Sequence, residues 1–208
     1  MVTLLFLIFF VFLFLGIPVA FSVGIATLFV LMLHGAVPLS IVAQKMNVAL
    51  GSFSLLAIPF FIFAGKIMER GGITQKLVDL AQALVGWMTG GLSYVSILTG
   101  MLLGGISGSG SADTAALGSI MVPAMVKSGY PKDFSSALQA AAGSIGVIIP
   151  PSITMIVLGS ITGVSVAKMF MGGVLPGIMV GILMMAAASI RCHKSGFGDQ
   201  GKTPFSRV

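Results

Sequence analysis

Charged side chains are scarce in this chain. Of its 208 residues, 8% are charged and 57% are hydrophobic. A soluble domain carries about 25% charged residues, so this composition predicts a protein embedded in a lipid bilayer. The net charge of +6 comes from basic residues that stand singly between apolar segments. Such spacing favours charges that set membrane topology over a patch that binds nucleic acid.

Cysteine and histidine are also rare. The single Cys192 excludes an internal disulfide and a cysteine-rich metal site. The sequence holds no metal-ligand cluster of His, Cys or paired carboxylates. Charge is missing altogether from residues 2–33, and this run lacks the small-residue cleavage site that follows the short core of a signal peptide. We therefore expect residues 2–33 to be membrane structure.

The apolar segments predict an all-α integral membrane protein. As one helix, residues 2–33 would be about 48 Å long, more than the ~30 Å hydrocarbon core. Gly16-Ile17-Pro18 interrupts them, which predicts either one kinked, tilted helix or two short segments and leaves the membrane side of Met1 open. The later segments are predicted as an interfacial helix at 36–50, a span at 52–68, an amphipathic interfacial helix at 73–88, apolar helices at 91–106 and 114–128, an interrupted helix at 134–164, a last span at 169–190 and a polar, basic tail at 191–208.

One acid, Asp113, lies deep inside this hydrophobic chain. An aspartate at the centre of a membrane helix costs roughly 2.5–3.5 kcal/mol, which makes Asp113 a candidate functional residue. The run from Ser107 to Ser111 alternates serine and glycine, which are poor helix formers and good turn formers. The pattern predicts the tip of a membrane-embedded hairpin formed by residues 91–128. Alternatively, Asp113 caps a helix that begins near Thr114.

The distribution of basic residues supports a hairpin that enters and leaves by one face. If residues 91–128 do so, while 52–68, 134–164 and 169–190 each cross, one face holds nine basic residues and the other two. If 91–128 crosses once, the split is four against seven. The positive-inside rule favours the re-entrant hairpin and places it on the cytoplasmic side. The nine are Lys66, Arg70, Lys76, Lys127, Lys132, Arg191, Lys194, Lys202 and Arg207, and the two are Lys45 and Lys168.

A second interruption lies at Gly143–Ser152. Pro150 and Pro151 remove two amide donors and leave carbonyl groups of the preceding turn without partners. Carbonyl, hydroxyl and carboxylate oxygens are hard ligands that suit Na⁺, and two interrupted helices facing each other are typical of transporters. Close packing is the alternative explanation for the small residues, with Gly104 and Gly108 as one example.

The short motif Gly105-Ile106-Ser107-Gly108 also fits the GxSG pattern of intramembrane serine proteases. Such an enzyme needs a histidine base within reach of the serine. His34 and His193 lie at the ends of predicted segments, which disfavours this alternative.

Several longer motifs together resemble a known family. Ser107–Pro131, SGSGSADTAALGSIMVPAMVKSGYP, and Ala140–Gly159, AAAGSIGVIIPPSITMIVLG, resemble the large membrane subunit of tripartite ATP-independent periplasmic (TRAP) transporters. Leu15–Gly24, Leu55–Thr74 and Gly172–Gly181 fit the same family, so the resemblance covers nearly all of residues 1–190.

The resemblance implies an elevator-type secondary transporter of the bacterial inner membrane, with several membrane crossings, and not an enzyme. It implies coupling to Na⁺, no organic cofactor and an organic-acid substrate such as a C4-dicarboxylate, a keto acid or a sugar acid. The expected partners are a small four-helix membrane subunit and a periplasmic substrate-binding protein. It also implies a division into scaffold helices at 1–70, an arm helix at 73–88, a transport unit at 91–164 with the hairpin at 91–128 and the broken helix at 134–164, a last helix at 165–190 and the tail at 191–208.

Carried onto this chain, the resemblance gives candidate site residues. The Na⁺ candidates are Ser107, Ser109, Gly110, Ser111, Asp113, Thr114, Gly143, Gly146, Val147 and Pro150. The residues expected close to the substrate are Ser111, Thr114, Pro151 and Ser152.

The family subunit is about twice as long as this chain, and no second hairpin or second Pro-Pro interruption follows. We therefore expect the chain to correspond to the N-terminal half, with a C-terminal half as a further partner. A non-functional membrane fragment is the alternative.

Overall fold

The computed structural model describes residues 1–34, 38–51 and 53–196. Within these ranges the chain forms α-helices and a short 3₁₀ turn, and no strand, which confirms the all-α prediction. The helices are α1 (Val2–Phe14), α2 (Val19–His34), α3 (Leu39–Leu50), α4 (Phe53–Arg70), α5 (Ile73–Val85), α6 (Gly91–Ser107), α7 (Gly110–Lys127), α8 (Lys132–Ser144), α9 (Ile153–Thr162) and α10 (Val166–Ser195), with the 3₁₀ turn at Ile145–Val147 between α8 and α9.

The chain divides into two compact units, Met1–Ser52 and Phe53–Val208. In the first unit the open question about residues 2–33 is resolved as two helices, because Gly16 adopts a left-handed conformation (φ 81°) and Pro18 lacks an amide donor. Helices α1 and α2 pack against each other. The helix expected at 36–50 is present as α3, and residues 36 and 37 lie outside the described ranges.

Helices α6 and α7 form an antiparallel hairpin at the core of the second unit. Near its open end, the Ser96 hydroxyl donates to the Met125 sulfur at 3.6 Å, and at its closed end Ser107 contacts Asp113. Apolar side chains fill the space between the two helices and α5: Val78, Ala81, Val95, Leu103, Leu117 and Met121. The helical hairpin predicted from the serine-glycine run is therefore present.

Large apolar residues recur along residues 73–88 at Ile73, Leu77, Leu80, Leu84 and Trp87, and the structure buries only part of this stripe. The face packed in the core carries Thr74, Val78 and Ala81. Leu80 and Leu84, which belong to the stripe of large apolar residues, are 49% and 55% exposed. Leu77 of the same stripe packs against the core, so α5 buries small residues together with part of the stripe and leaves the rest of the stripe on the surface.

Helix α8 ends at the predicted interruption. The chain tightens into the 3₁₀ turn, passes through Pro150-Pro151 with a cis peptide bond, and resumes as α9. Ser152 caps α9, because its side chain accepts a hydrogen bond from the Met155 amide at 3.4 Å.

Helix α10 is longer than the predicted span at 169–190. It has 30 residues and continues to Ser195, so the prediction of a tail from residue 191 is wrong for residues 191–195. Arg191, His193 and Lys194 lie in or next to its last turn. Positive charge at the C-terminus of a helix interacts favourably with the helix dipole. Among the described helices, α10 alone is long and apolar enough by itself to cross a membrane. Residues 197–208 lie outside the described ranges.

Glycines on α6 bring its backbone against α8 and the interruption. A Cβ on Gly100 would lie 2.9 Å from the Ala142 carbonyl oxygen, and one on Gly104 would overlap the Gly146 Cα. A Cβ on Gly108 would lie 2.5 Å from the Pro151 carbonyl oxygen. Close packing is therefore one role of Gly104 and Gly108, as the small-residue alternative holds.

We predict that Gly104→Ala destabilises the second unit, because the added methyl group collides with backbone. Overpacking of this kind costs about 1–3 kcal/mol. The thermal unfolding midpoint of the purified chain in detergent measures it. The matched control is Gly172→Ala, on the exposed side of α10, where a Cβ meets nothing within 4 Å. Equal midpoints for the two variants would contradict the close approach of α6 and the interruption.

Candidate functional site

The break between α6 and α7 is shorter than the sequence suggests. Only Gly108 and Ser109 lie between the two helices. Gly108 is left-handed (φ 62°) and its amide donates to the Gly104 carbonyl at 3.1 Å, which ends α6. Ser109 occupies the N-cap position and α7 begins at Gly110. Asp113 therefore lies in the first turn of α7, and its alternative role as the cap of a helix near Thr114 is wrong.

The carboxylate of Asp113 is enclosed at this tip. The residue is 3% exposed, and its Oδ1 accepts a hydrogen bond from the Ser107 hydroxyl at 2.5 Å. The same hydroxyl accepts a bond from the Ser109 amide at 3.0 Å, so Ser107 is held in place. The other carboxylate oxygen, Oδ2, is buried and has no hydrogen-bonding partner among the described residues. A buried carboxylate with one unsatisfied oxygen is costly unless a cation or water completes it.

The interruption after α8 lies directly against this carboxylate. A Cβ on Gly146 would lie 2.6 Å from the Asp113 Oδ2, so only glycine leaves room for the carboxylate there. One turn away, a Cβ on Gly110 would lie 2.8 Å from both the Gly143 carbonyl oxygen and the Val147 side chain.

Further contacts join the two interruptions. The Thr114 hydroxyl donates to the Gly110 carbonyl at 2.7 Å, and a Cβ on Gly143 would collide with the Thr114 side chain. The amide of Ile153 donates to the Gly108 carbonyl at 3.2 Å, which ties the start of α9 to the hairpin tip.

Most of the predicted site residues therefore meet in one place. Ser111 does not join them, because it is exposed on the outer side of the first turn of α7. Ser152 is fully buried and serves as the cap of α9, and Pro150 and Pro151 are half-buried beside the hairpin tip. The residues that come together around the tip are Ser107, Ser109, Gly110, Asp113, Thr114, Gly143, Gly146 and Val147.

The available donor atoms fit a hard monovalent cation better than a transition metal. Among the described residues, no three His, Cys, Asp or Glu side chains come together as a metal site. The tip offers one carboxylate, nearby hydroxyl groups and backbone carbonyls, all of them oxygen ligands. Pro150 and Pro151 have no amide to donate to the carbonyls of Gly146 and Val147, four residues earlier. The unsatisfied Oδ2 of Asp113 would be the negatively charged ligand of such a cation.

A cavity of about 180 Å³ lies beside the tip. Gly65, Glu69 and Thr74 line it from α4 and α5, and Ser107 and Asp113 line it from the hairpin. Nothing in the sequence predicted that α4 and α5 contribute to the site, because helical periodicity does not identify which neighbour a face meets.

The serine-protease alternative has no geometric support. The Ser107 hydroxyl is already bonded to Asp113. His193 follows Cys192, whose sulfur lies 3.5 Å from the Ser93 hydroxyl at the opposite end of α6. Fourteen residues of helix separate Ser93 from Ser107, about 21 Å, which is far beyond the reach of a general base.

An all-helical, apolar chain in which two helix interruptions meet at one buried carboxylate has the features of a membrane transport protein. The family model described as "Tripartite ATP-independent periplasmic transporter, DctM component" matches residues 6–207, and the chain belongs to that family. Members of this family are transporters and not enzymes.

Curated relatives agree with the family. The chain is 42% identical over 176 residues to the C4-dicarboxylate TRAP transporter large permease protein DctM of Vibrio cholerae, which covers 84% of the chain and 39% of that protein. It is 44% identical over 186 residues to the isethionate TRAP transporter permease protein DctMQ of Oleidesulfovibrio alaskensis, covering 89% and 29%. With the sialic acid TRAP transporter large permease protein SiaM of Vibrio cholerae, it shares 36% identity over 185 residues, covering 89% and 43%. The chain thus spans less than half the length of these relatives.

We predict that Ser107→Ala destabilises the hairpin, because it removes the only hydrogen bond that the described residues donate to the Asp113 carboxylate. Losing a hydrogen bond to a charged group costs about 1.5–3 kcal/mol. The measurement is the thermal unfolding midpoint, compared with Ser119→Ala, whose exposed hydroxyl bonds only the Ala116 carbonyl. In an Asp113→Ala background the effect of Ser107→Ala should shrink. Equal effects of the two serine variants would refute the pairing.

Proposed function

We propose that the chain forms part of the large membrane subunit of a Na⁺-coupled secondary transporter that takes up organic acids. The observation that carries this proposal is the buried Asp113 with its unpartnered Oδ2, placed where the hairpin tip and the second interruption meet. The family and the names of the relatives support the class of protein.

Na⁺ is the coupling ion in this proposal. Asp113 supplies the charge, and hydroxyl and carbonyl oxygens around it supply the remaining ligands. Ser107, Gly146 and Val147 are the first candidates for these ligands. The Ser107 hydroxyl bonds Asp113 directly. The carbonyl groups of Gly146 and Val147 receive no hydrogen bond from the residue four positions later, because that residue is a proline in each case. Ser109, Gly110, Thr114, Gly143 and Pro150 complete the candidate set, and Ser111 leaves it because its side chain is exposed. When bound, the ion neutralises a carboxylate that is otherwise buried alone, so binding stabilises the closed arrangement of hairpin and interruption.

The substrate in this proposal is an anion. The names of the relatives support this class, because C4-dicarboxylate, isethionate and sialic acid are all anions at neutral pH. Helices α7 and α9 begin close together, since Ile153 bonds Gly108, and helix N-termini favour negative groups. Ser111, Thr114, Pro151 and Ser152 lie at or near these two ends. The exposure of Ser111, which does not suit an ion ligand, suits a substrate contact.

The transport cycle in this proposal moves the hairpin and the broken helix against scaffold helices. The hairpin would be re-entrant from the cytoplasmic face, as the count of basic residues favours. The scaffold corresponds to residues 1–70, the arm to 73–88 and the transport unit to 91–164. The complete transporter would lie in the bacterial inner membrane. It would also contain the remaining part of the permease, a small four-helix membrane subunit and a periplasmic binding protein.

We predict that Na⁺ raises the thermal unfolding midpoint of the purified chain in detergent, while choline at the same ionic strength does not. A ligand at 100 times its Kd stabilises by about 2.7 kcal/mol. Asp113→Asn should abolish the Na⁺ effect, and Ser119→Ala should retain it. An Asp113→Asn variant that responds to Na⁺ like the parent chain would exclude Asp113 as a ligand.

We also predict that Asp113→Ala combined with Ser109→Ala abolishes Na⁺-dependent uptake of an organic acid when the permease is expressed with its partner subunits. The double variant removes the charge partner and one hydroxyl of the ion site. Uptake of radiolabelled substrate into cells, with and without a Na⁺ gradient, measures it, and membrane levels of the protein serve as the control. Unchanged uptake would refute the assignment of Asp113 and Ser109 to the ion site.

A further inference from the structure

The cavity beside the hairpin tip connects the candidate ion site with the surface. It lies between α4, α5 and the hairpin, and its volume of about 180 Å³ leaves room for several water molecules. Gly65 of α4 packs against the tip, where a Cβ would lie 3.6 Å from the Ser107 Cα. Asp113 and Ser107 line the inner end of the cavity.

A second residue with an unsatisfied oxygen lines the same cavity. Thr74 is 6% exposed, and its hydroxyl oxygen has no hydrogen-bonding partner among the described residues. Thr74 and Asp113 are thus two buried residues on different helices that line one cavity and that each carry an unpartnered oxygen.

The exposed end of the cavity carries charge. Lys66 and Glu69 line it and form a salt bridge of 2.7 Å, with 59% and 42% of their side chains exposed. Exposed pairs of this kind contribute only about 0–1 kcal/mol, so the pair opens easily. The Glu69 carboxylate attracts cations, and it lies on the same cavity as the Asp113 carboxylate.

We propose that this cavity is the path by which a hydrated monovalent cation passes between Asp113 and the cytoplasmic face, past Thr74 and then past Lys66 and Glu69. In Na⁺-driven uptake this is the direction of release. This inference rests on the proposed function, since it takes Na⁺ bound at Asp113 as one end of the path. The rest of the wall is largely apolar, with Ile62, Leu103 and Ile106 among its residues. Such a wall offers the ion no competing ligand between the exposed end and the tip.

Thiol accessibility tests the path separately from ion binding. Thr74→Cys is introduced into the chain, and inside-out membrane vesicles are treated with the cationic reagent 2-aminoethyl methanethiosulfonate. The modified fraction is measured by counter-labelling with a polyethylene glycol maleimide. The matched control is Thr99→Cys, because Thr99 is a buried threonine of α6 whose hydroxyl is also unpartnered but which does not line the cavity. The parent chain controls for Cys192, which is buried.

We expect Thr74→Cys to react at least tenfold faster than Thr99→Cys, and Na⁺ to slow the reaction. A cysteine at position 74 that reacts no faster than one at position 99 would overturn the path. Fast reaction that Na⁺ leaves unchanged would keep the path and count against the ion at Asp113. Fast reaction only in right-side-out vesicles would overturn the opening of the path to the cytoplasmic face.

The role of Glu69 has its own readout. In the Thr74→Cys chain, Glu69→Gln should slow the cationic reagent by about twofold to tenfold and leave the neutral methyl methanethiosulfonate unaffected, because a surface carboxylate steers only charged reagents. Equal slowing of both reagents would show a steric effect and contradict an electrostatic role of Glu69 at the exposed end of the cavity. Thermal unfolding midpoints of each variant confirm that the helices remain folded.

Discussion

The burial of one carboxylate constrains the whole second unit. Asp113 is 3% exposed, and an ionised side chain can be kept there only if hydrogen bonds or a counter-ion compensate for the lost water. Ser107 supplies the one hydrogen bond that the described residues make to it. These two residues lie on different helices, and a break of two residues brings their side chains together. The geometry of the tip follows from that requirement.

The same constraint explains why glycine lies opposite the carboxylate. Gly146 leaves the space that the second carboxylate oxygen occupies, and Gly143 leaves the space for Thr114. Both glycines would weaken a regular helix, and the chain tightens into a 3₁₀ turn where Gly146 lies. The glycines therefore destabilise the helix at the place where its backbone packs against the Asp113 carboxylate.

The positions of the two helix interruptions could be predicted from the sequence, but the helix boundaries next to them could not. Proline pairs and serine-glycine runs act locally, so the break near Pro150 and the hairpin tip were both predictable. The start of α7 at Gly110 was not, because the helix forms there against the intrinsic preference of its glycine and serine, and packing against α8 stabilises it. For α5, periodicity identified the large apolar stripe but not the smaller face of Thr74, Val78 and Ala81, which meets the hairpin. The cavity depends on which helices are neighbours, and no local pattern encodes that information.

The glycines at positions 100, 104 and 108 also limit how this part of the chain can move. They recur every fourth residue and face backbone of α8 and the interruption at each step. Rotating α6 about its axis so that Thr99, Met101 or Leu103 takes the place of a glycine would bring a side chain to a position where no Cβ fits. The glycines thereby fix which face of α6 meets α8. A displacement that keeps these contacts would move the hairpin and the interruption together, with the Asp113 carboxylate between them.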